Sequence, residues 1–455
     1  NMQKSLLMVS TKKERLKYKK MNPKKIWFVN PEDSFLEKKG DRAPLGLLYL
    51  SSWCKKLGHE TRVIDLNHEQ FNQKDLFEKP HYICFSVSTP NYKAIIQMAQ
   101  DIKHFKNKYP RVLNHYLYLI AGGNHVTALP EEKDTKESFD YIIVGEGENG
   151  LKELLSLPVG SFTEQIIHSP SIEDLDTLPF PDYEAVDMKR YTMTLEGKPA
   201  TVMVGSRGCL YDCGFCGQAK LKKWRGRSAL NIVTEMILLY EKYNKHGFYI
   251  ADDIWSFDRE RSINIAKEII NAKRANMLPQ DTTIRITTRT NLVDKEELQW
   301  LKEAGLDIIS FGLESGSDTV LKNVQKNLTV KHQKLKVDIC HEVGIKVKGF
   351  FIFPLPGDTE ETFKETLEFA KSLNLEYCDI YPYTPYPGTP MWDNPKKYDI
   401  EIEKPTDGSW DDYYQVGKSG ANHPLRFKHP NFTQERIYEL INLFNKEIKA
   451  KGLTY

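Results

Sequence analysis

The 455-residue chain lacks the features of several protein classes. No apolar run approaches the roughly 18 residues that a membrane-spanning helix needs, so we expect no membrane span. Lysine and arginine together number 64, and aspartate and glutamate number 62, which leaves a formal net charge of +2. So balanced a charge creates no global field that would favour nucleic acid or a membrane surface. No basic patch interleaved with aromatic residues is present either, so we expect no nucleic-acid partner.

Cysteine is also scarce, with seven in the whole chain. Cys54, Cys84, Cys340 and Cys378 stand singly in apolar surroundings, which is typical of reduced thiols inside a cytoplasmic protein. Residues 1–25 are rich in lysine and lack the apolar core and cleavage site of a secretory signal, so we expect a basic N-terminal arm. The hydrophobic fraction of 40% suits globular domains with real cores, and the length predicts about three of them.

The other three cysteines lie close together. Cys209, Cys213 and Cys216 are spaced Cys-x3-Cys-x2-Cys and follow a short apolar strand at 201–204. A turn of this size can direct three thiols at one point, as a metal or an iron–sulfur cluster requires. A zinc site is the alternative, but neither a second cysteine pair nor a downstream histidine completes a zinc ligand set. A four-iron cluster held by three thiolates would leave one iron open to a non-protein ligand.

Apolar strands alternate with helices over residues 26–155. The predicted strands are 26–29, 61–64, 82–87, 116–121 and 141–144. This alternation predicts a doubly wound, Rossmann-like α/β domain with a parallel sheet covered on both faces. Ligands of such sheets bind at the carboxyl ends of the strands. The small and polar residues found there indicate a large ligand: Ser86, Ser88, Thr89, Gly122, Gly123, Gly145, Glu146, Gly147 and Glu148.

A second alternating region covers residues 200–390. Its predicted strands are 201–204, 248–250, 284–287, 307–313, 347–353 and 379–383. Six strands predict a partial (β/α)6 barrel of the TIM type, whose chemistry lies at the carboxyl-terminal face. The polar residues predicted at that face, besides the cysteines, are Asp252, Asp253, Arg289, Glu314 and Ser315. Helix capping, a surface ion pair or a solvated loop acid would be the structural alternatives for them.

Two segments frame the barrel. Prolines and acids in residues 156–199 predict an extended linker. Residues 391–455 form a C-terminal region with an amphipathic helix from about 433 to 449. Its aromatic residues could close the barrel floor, line a substrate pocket or cap hydrophobic edges: Trp392, Trp410, Tyr413 and Tyr414.

The cysteine spacing, with Phe215 just before the last thiol, resembles the signature of radical S-adenosylmethionine (SAM) enzymes. The resemblance implies a [4Fe-4S] cluster held by Cys209, Cys213 and Cys216 as the catalytic centre, with SAM on the open iron. It also implies SAM contacts from Phe215, Asp252, Asp253, Arg289, Glu314 and Ser315. The family's Gly-Gly-Glu sequence after the second strand is replaced here by Ala251-Asp252-Asp253.

Three stretches of the first domain, 44–50, 122–131 and 145–148, resemble the cobalamin-binding domain fused ahead of many radical SAM enzymes. The resemblance implies cobalamin contacts from the strand-end residues above and also from Leu45, Gly46, Asn124 and His125. The Asp-x-His-x-x-Gly sequence that supplies a histidine to cobalt in other cobalamin proteins is absent. We therefore expect His125 to be a tail or phosphate contact, or a packed polar residue, rather than a cobalt ligand.

With both resemblances, residues 26 to about 390 look like a cobalamin-dependent radical SAM enzyme. The family implies a methyltransferase that acts on an unactivated carbon, or on phosphorus, through a 5'-deoxyadenosyl radical and methylcobalamin. A radical rearrangement or oxidative cyclisation, in which cobalamin transfers electrons, is the alternative. A binding regulator without turnover would not need an open iron, and a methylthiotransferase would need three further cluster cysteines in the first domain. The implied partners are a small-molecule substrate and a flavodoxin- or ferredoxin-type electron donor.

Overall fold

The computed structural model describes residues 22–33, 38–110, 113, 117–217, 223–405, 408–410, 413 and 424–449. Most of the predicted basic arm, the first residue of the predicted strand 116–121, and Tyr414 lie outside these residues. The chain folds into two compact units. The first takes in residues up to 32, 44–172 and 178–187, and the second takes in 33–43, 173–177 and 188 onward.

The first unit is built on a parallel sheet with six strands among the described residues, in the order β2-β1-β3-β4-β5-β6. The strands are β1 (Lys25–Asn30), β2 (Glu60–Asp65), β3 (Tyr82–Ser86), β4 (Tyr118–Gly122), β5 (Tyr141–Gly145) and β6 (Ile166–Ser169). The helices are α1 (Leu45–Lys56), α2 (Tyr92–Lys108), α3 (Asn124–Ala128), α4 (Lys133–Ser138) and α5 (Gly147–Leu155). The Rossmann-like prediction is confirmed, and the strand order is that of doubly wound folds whose ligands bind at the carboxyl edge.

The sequence did not reveal β6. Residues 166–169 fall in the predicted linker, yet they pair in parallel with β5 and extend the sheet by one strand. A later part of the same stretch packs on α1. There Asp182 forms an ion pair with Lys55 over 2.6 Å and accepts a hydrogen bond from the hydroxyl of Ser51. Extended segments that dock on a preformed sheet or helix carry little periodicity of their own.

The second unit is built on a sheet with seven strands among the described residues, in the order β15-β14-β13-β12-β11-β8-β7. Its strands are β7 (Thr194–Leu195), β8 (Lys198–Met203), β11 (Gly247–Ile250), β12 (Thr283–Thr288), β13 (Leu306–Glu314), β14 (Lys346–Phe353) and β15 (Tyr377–Pro382). Its helices are α6 (Ala229–Tyr243), α7 (Arg259–Arg274), α8 (Lys295–Ala304), α9 (Asp318–Asn323), α10 (Val330–Glu342), α11 (Glu360–Ser372), α12 (Pro390–Asp393) and α13 (Gln434–Lys449). Two short pairs complete it, β9 (Ser206–Arg207) with β10 (Arg225–Gly226) and β16 (Glu401–Ile402) with β17 (Phe427–Lys428).

Six strands of this sheet are parallel, which confirms the partial barrel: β8, β11, β12, β13, β14 and β15. β7 adds an antiparallel edge. The two edges of this sheet meet at the amino ends of the strands. Glu196, in the turn between β7 and β8, pairs with Lys346 at the start of β14 over 2.6 Å. It also accepts a hydrogen bond from the Tyr377 hydroxyl at the start of β15 over 3.1 Å. Since β7 and β15 are opposite edges, these contacts show a sheet curled on itself and closed at its amino end.

The helices cover the convex face of this curled sheet. Phe351 of β14 is fully buried and packs on Phe369 of α11 and Phe444 of α13, with ring centroids 6.3 and 5.5 Å apart. Because side chains alternate along a strand, Lys348 and Phe350 face the opposite, concave side. Both are partly exposed. The concave face is therefore the side that can receive a ligand.

The C-terminal helix α13 agrees with the predicted helix at 433–449. Trp392, Trp410 and Tyr413 are buried against one another, with Trp392–Trp410 and Trp410–Tyr413 centroids 5.6 and 4.8 Å apart. Across the described residues, no helix combines the length and apolarity that a membrane crossing requires.

Candidate active site

The three cysteines lie on a loop with a narrow base. β9 and β10 pair in an antiparallel register, Ser206 with Gly226 and Arg207 with Arg225, and close the loop between them. Gly208 follows with a φ of +88°, and a Cβ there would overlap the carbonyl oxygen of Lys223. Only glycine fits this position, because other residues would meet both the steric overlap and the strain of positive φ.

The predicted acidic pair after β11 holds the base of this loop. The buried Asp252 accepts hydrogen bonds from the Gly205 amide over 2.6 Å and from the Ser206 hydroxyl over 2.7 Å. Asp253 accepts one from the Gly208 amide over 3.1 Å, and its side chain is otherwise exposed. Burial raises the pKa of Asp252, while Arg261 and these hydrogen bonds oppose the rise. Both oxygens of Asp252 thus engage the loop, whereas Asp253 uses one carboxylate oxygen and is an exposed residue, even though partial burial of its carboxyl group raises its pKa.

The cysteine sulfurs are partly enclosed by hydrogen-bond donors. Cys209 and Cys213 are buried and Cys216 is partly exposed. The Tyr211 amide donates to the sulfur of Cys209 over 3.4 Å, and a guanidinium N–H of Arg289 donates to the sulfur of Cys213 over 3.3 Å. Burial raises the pKa of the Cys209 thiol, and the nearby Arg289 cation opposes this rise.

These donors fit an iron–sulfur cluster. Three soft thiol ligands on one glycine-shaped loop, with N–H groups aimed at sulfur, are what such clusters use for ligation and for tuning their potential. Within the described ranges, however, no three histidine, cysteine, aspartate or glutamate side chains are already gathered at metal-binding distance. That the three cysteines are cluster ligands, and that they converge on one point, stays a prediction.

Arg289 connects this loop to a buried ion pair between the predicted Glu314 and Lys326, a residue that the sequence did not single out. The Arg289 guanidinium lies 3.8 Å from the ring centroid of Tyr211 and donates to the carbonyl oxygen of Lys326 over 2.6 Å. The ammonium of Lys326 pairs with Glu314 over 2.8 Å, and both side chains are at least 93% buried. The two cations and one carboxylate thus form a connected group beside Cys213. A buried lysine in a loop has no sequence signal that separates it from a surface lysine.

Glu314 ends β13 in a strained conformation. Its φ is +65°, which is rare for a residue other than glycine. The neighbouring Gly312 leaves room for its carboxylate, because a Cβ on Gly312 would overlap a carboxylate oxygen of Glu314. Such strain is typical of functional sites.

Two other predicted SAM contacts differ in their surroundings. Ser315 is buried, and its hydroxyl bonds to Thr366 over 3.2 Å and accepts from the Ser317 amide, so it shapes the turn after β13. Phe215 is partly exposed on the cysteine loop. The structure therefore leaves Phe215 accessible and gives Ser315 a positioning role.

Residues after the barrel support the cysteine loop from outside. The amide of Gly214 donates to the Val324 carbonyl over 2.8 Å, and the carbonyl of Gly214 accepts from the Met391 amide over 2.9 Å. A Cβ on Gly214 would lie 2.9 Å from the ring of Tyr398. Part of the C-terminal region thus supports the cysteine loop.

In the first unit, the predicted cobalamin residues lie at the carboxyl edge of the sheet. Gly46 and Gly122 have no protein atom within 4 Å of where a Cβ would stand, and Asn124 is exposed. Open space beside glycine backbone suits the close approach of a bulky ligand, so this edge fits a cobalamin. Gly123, at φ +112°, and Gly145, at φ +95°, shape the turns. Partly exposed residues at the same edge are Leu45, Ser86, Ser88, Glu146 and Gly147.

His125, Thr89 and Glu148 are buried instead. The ring nitrogens of His125 bond to Thr89 over 3.2 Å and to Glu132 over 2.8 Å, and the ring stacks on Tyr92 with centroids 4.3 Å apart. Of the two roles predicted for His125, the structure matches the packed polar residue.

Comparison with known proteins assigns both units to families. Residues 35–155 match the B12-binding domain, and residues 203–370 match the radical SAM superfamily. The chain is 27% identical over 421 residues to the uncharacterized methyltransferase PH0819 of Pyrococcus horikoshii, covering 88% of this chain and 86% of that protein. It is 25% identical over 395 residues to the anaerobic magnesium-protoporphyrin IX monomethyl ester cyclase of Rubrivivax gelatinosus, covering 80% and 68%.

Among solved structures, the chain is similar to TsrM, a radical SAM methyltransferase of Kitasatospora setae solved with cobalamin and a [4Fe-4S] cluster. The TM-score is 0.69 at 15% identity, covering 94% of this chain and 89% of TsrM, which supports the fold. The chain belongs to the radical SAM enzymes that carry an N-terminal B12-binding domain.

Proposed function

We propose that this protein is a cobalamin-dependent radical SAM methyltransferase that methylates an unactivated carbon, or a phosphorus, of a small molecule. The observation that carries the proposal is the hydrogen bond from Arg289 to the sulfur of Cys213, on a loop with two further cysteines. A purely structural thiol would gain little from a buried guanidinium aimed at it, whereas a negatively charged cluster is stabilised by it.

The cysteines of the loop and the acidic pair after β11 would have different roles. Cys209, Cys213 and Cys216 would hold three irons, and the bound cluster, SAM and cobalamin would supply the radical and the methyl group. Asp252 and Asp253 fix the stem of the loop through the amides of Gly205 and Gly208.

SAM presents an amine and a carboxylate, which need partners of opposite charge. The exposed carboxylate of Asp253 suits the amine. The cations of Arg289 and Lys326 suit the carboxylate, and Glu314 balances Lys326 when SAM is absent. Phe215, partly exposed beside Cys216, suits the adenine ring.

The edge glycines and polar residues of the first unit would hold cobalamin through its corrin side chains and tail. Gly46, Gly122 and Asn124 offer the open surface for this. His125 would contribute indirectly, by fixing the turn that Gly123 begins.

Electrons would come from a small flavodoxin- or ferredoxin-type donor. Leu210, next to Cys209, is 42% exposed, and Cys216 is partly exposed. The loop thus offers a surface through which an electron could reach the bound cluster.

Of the two relatives described above, the one whose alignment covers the larger share of both proteins is named an uncharacterized methyltransferase. This favours methyl transfer over cyclisation. The cyclase relative supports the alternative, a radical rearrangement or oxidative cyclisation with cobalamin as an electron carrier. The two reactions differ in their products from SAM, so they can be separated without the native substrate.

The test is an anaerobic assay of the full chain with reconstituted cluster, cobalamin, SAM and a reductant, scored by mass spectrometry. Methyl transfer predicts both 5'-deoxyadenosine and S-adenosylhomocysteine, and Cys213→Ala should abolish deoxyadenosine while the buried Cys340→Ala should not. Deoxyadenosine alone would favour cyclisation. Equal deoxyadenosine from wild type and Cys213→Ala would refute the assignment.

A further inference from the structure

The concave face of the curled sheet carries a cluster of charged and polar side chains that has no role in the reaction centre proposed above. Its members lie on five adjacent strands: Tyr249 on β11, Arg285 on β12, Ser310 on β13, Lys348 on β14, and Asp379 on β15. They lie on the side opposite the helices, as the packing of Phe351 on α11 and α13 establishes for β14.

Contacts between these side chains show that they share one surface. The Arg285 Nε donates to the hydroxyl of Ser310 over 3.2 Å, and the guanidinium lies 4.6 Å from the centroid of the Tyr249 ring. Lys348 pairs with Asp379 over 2.7 Å. Arg285 is also close enough to Asp379 to interact with it electrostatically.

The charges on this surface do not balance. Asp379 neutralises Lys348, but Arg285 has no carboxylate within 4 Å among the described residues. Arg42 also lies over the Tyr249 ring, with 5.9 Å from guanidinium to centroid, but it pairs with Asp41 over 3.5 Å and so adds no net charge. Burial lowers the pKa of Arg285. A half-buried guanidinium that lacks a counter-charge is costly, so an anionic ligand would stabilise it.

The closed amino end of the barrel limits where that ligand could bind. The contacts of Glu196 with Lys346 and Tyr377 close the amino end of the barrel. Arg285, in the first half of β12, therefore lies on the concave face near this closed end. Arg289, which contacts Cys213, is four residues further along the chain from Arg285, or about 13 Å at the rise of an extended strand.

We propose that Arg285, oriented by the fully buried Ser310 and by Tyr249, binds an anionic group of the substrate, either a carboxylate or a phosphate-type group, on the concave face near the closed amino end of the barrel. The Lys348–Asp379 pair provides a second polar contact beside it. The aromatic rings of Tyr249, beside Arg285, and of Phe350, on the same concave face, would flank the bound molecule. Calling the bound molecule the substrate rests on the proposed function; the anion site itself does not.

Arginine suits this task better than lysine. Its planar guanidinium has five N–H donors and can bind a carboxylate or phosphate through two parallel hydrogen bonds. One donor of Arg285 is used by Ser310, and its stacking on Tyr249 fixes the plane of the others. The ring thus orients the guanidinium for the ligand.

The experiment compares three probes that share a 3-phenylpropyl group: 4-phenylbutyrate, 3-phenylpropylphosphonate and the neutral 4-phenylbutyramide. Their dissociation constants are measured by ligand-observed NMR on the full chain with reconstituted cluster. Wild type should bind at least one anionic probe about tenfold or more tightly than the amide, as a charge-assisted hydrogen bond predicts. The preferred anion tells a carboxylate from a phosphate-type substrate.

Arg285→Gln should remove this preference, and Arg285→Lys, which keeps the charge, should retain part of it. Arg274→Gln is the matched control, because Arg274 is 70% exposed on α7 and pairs with Glu303 on the surface. Circular dichroism confirms that each variant is folded. An anion preference that persists in Arg285→Gln, or no preference in wild type, overturns the proposal.

Deoxyadenosine formation by the wild-type enzyme is measured on the same sample. An anion preference that depends on Arg285, without deoxyadenosine, would keep the anion site and refute the proposed function. Deoxyadenosine without an anion preference would refute the anion site alone.

Discussion

A guanidinium N–H of Arg289 donates a hydrogen bond to the sulfur of Cys213 over 3.3 Å. The same guanidinium stacks on Tyr211 and donates to the carbonyl of Lys326. One residue directly after β12 thus fixes the cysteine loop against the barrel and places a positive charge at the sulfur of Cys213.

Removing this charge should lower the reduction potential of the cluster. In Arg289→Met the reduced, more negative cluster loses a charge-assisted hydrogen bond of about 2 kcal/mol, or roughly 90 mV for one electron. A redox titration followed by electron paramagnetic resonance, without SAM, measures the shift. Arg259→Met is the control, since Arg259 pairs with Asp294 and Glu296 on the surface. An unchanged potential in Arg289→Met would show that the contact does not act on the cluster.

Gly208 should be indispensable to the shape of the cysteine loop. Gly208→Ala introduces a Cβ that overlaps the carbonyl of Lys223 and strains a φ of +88°, at a cost of about 1–3 kcal/mol before any overlap is counted. We expect less iron bound after reconstitution and a lower melting temperature. Gly217→Ala is matched to it in the same loop, because none of the residues that the structure describes comes within 4 Å of a Cβ there, its chain neighbours apart. Equal iron content in the two variants would contradict this account.

His125 should stabilise the first unit rather than bind cobalamin directly. His125→Ala removes a buried ring that bonds to Thr89 and Glu132, which should cost about 1–3 kcal/mol. Thermal unfolding without cobalamin should therefore shift to lower temperature. The exposed Asn124→Ala should leave that transition unchanged and weaken only cobalamin binding. A His125→Ala protein of unchanged stability that binds cobalamin poorly would identify a direct contact instead.

Stability of the second unit should decrease as pH rises from about 4 to about 7. Burial raises the pKa of Glu297 from its usual 4.5 to about 7, and that of Asp358 from 3.8 to about 7. Each carboxyl group holds its proton more tightly folded than unfolded, so the folded state is favoured at low pH, and this advantage is lost as pH rises through the folded pKa.

Glu297→Gln mimics the protonated side chain and isolates its share of this effect. Relative to wild type, the variant should gain stability between pH 5 and pH 8, as measured by urea unfolding at both pH values. Glu303→Gln, at a 53% exposed position, should show no such change. If the difference in unfolding free energy between Glu297→Gln and wild type does not depend on pH, Glu297 does not contribute to the pH dependence of stability.

The sequence predicted the fold class because its strands are continuous apolar runs that recur with helical stretches between them. It missed β6, since Ile166–Ser169 is short and lies among prolines and acids. Pairing with β5, a long-range contact, makes it a strand.

At the site, the cysteines and the acidic pair were predictable from spacing and position. Their separate roles were not, because Asp252 and Asp253 are adjacent in sequence yet one is buried and the other exposed. Lys326 became visible only through its burial against Glu314. Tertiary packing decides such roles, and periodicity does not report it.

The central claim is that the loop cysteines hold a cluster with an iron open to SAM. The most direct test is the electron paramagnetic resonance spectrum of the reduced, reconstituted full chain, recorded with and without SAM. The account predicts a [4Fe-4S] signal that changes when SAM is added, is lost in Cys213→Ala, and is kept in Cys340→Ala. A signal that SAM does not alter, or one that survives in Cys213→Ala, would contradict it.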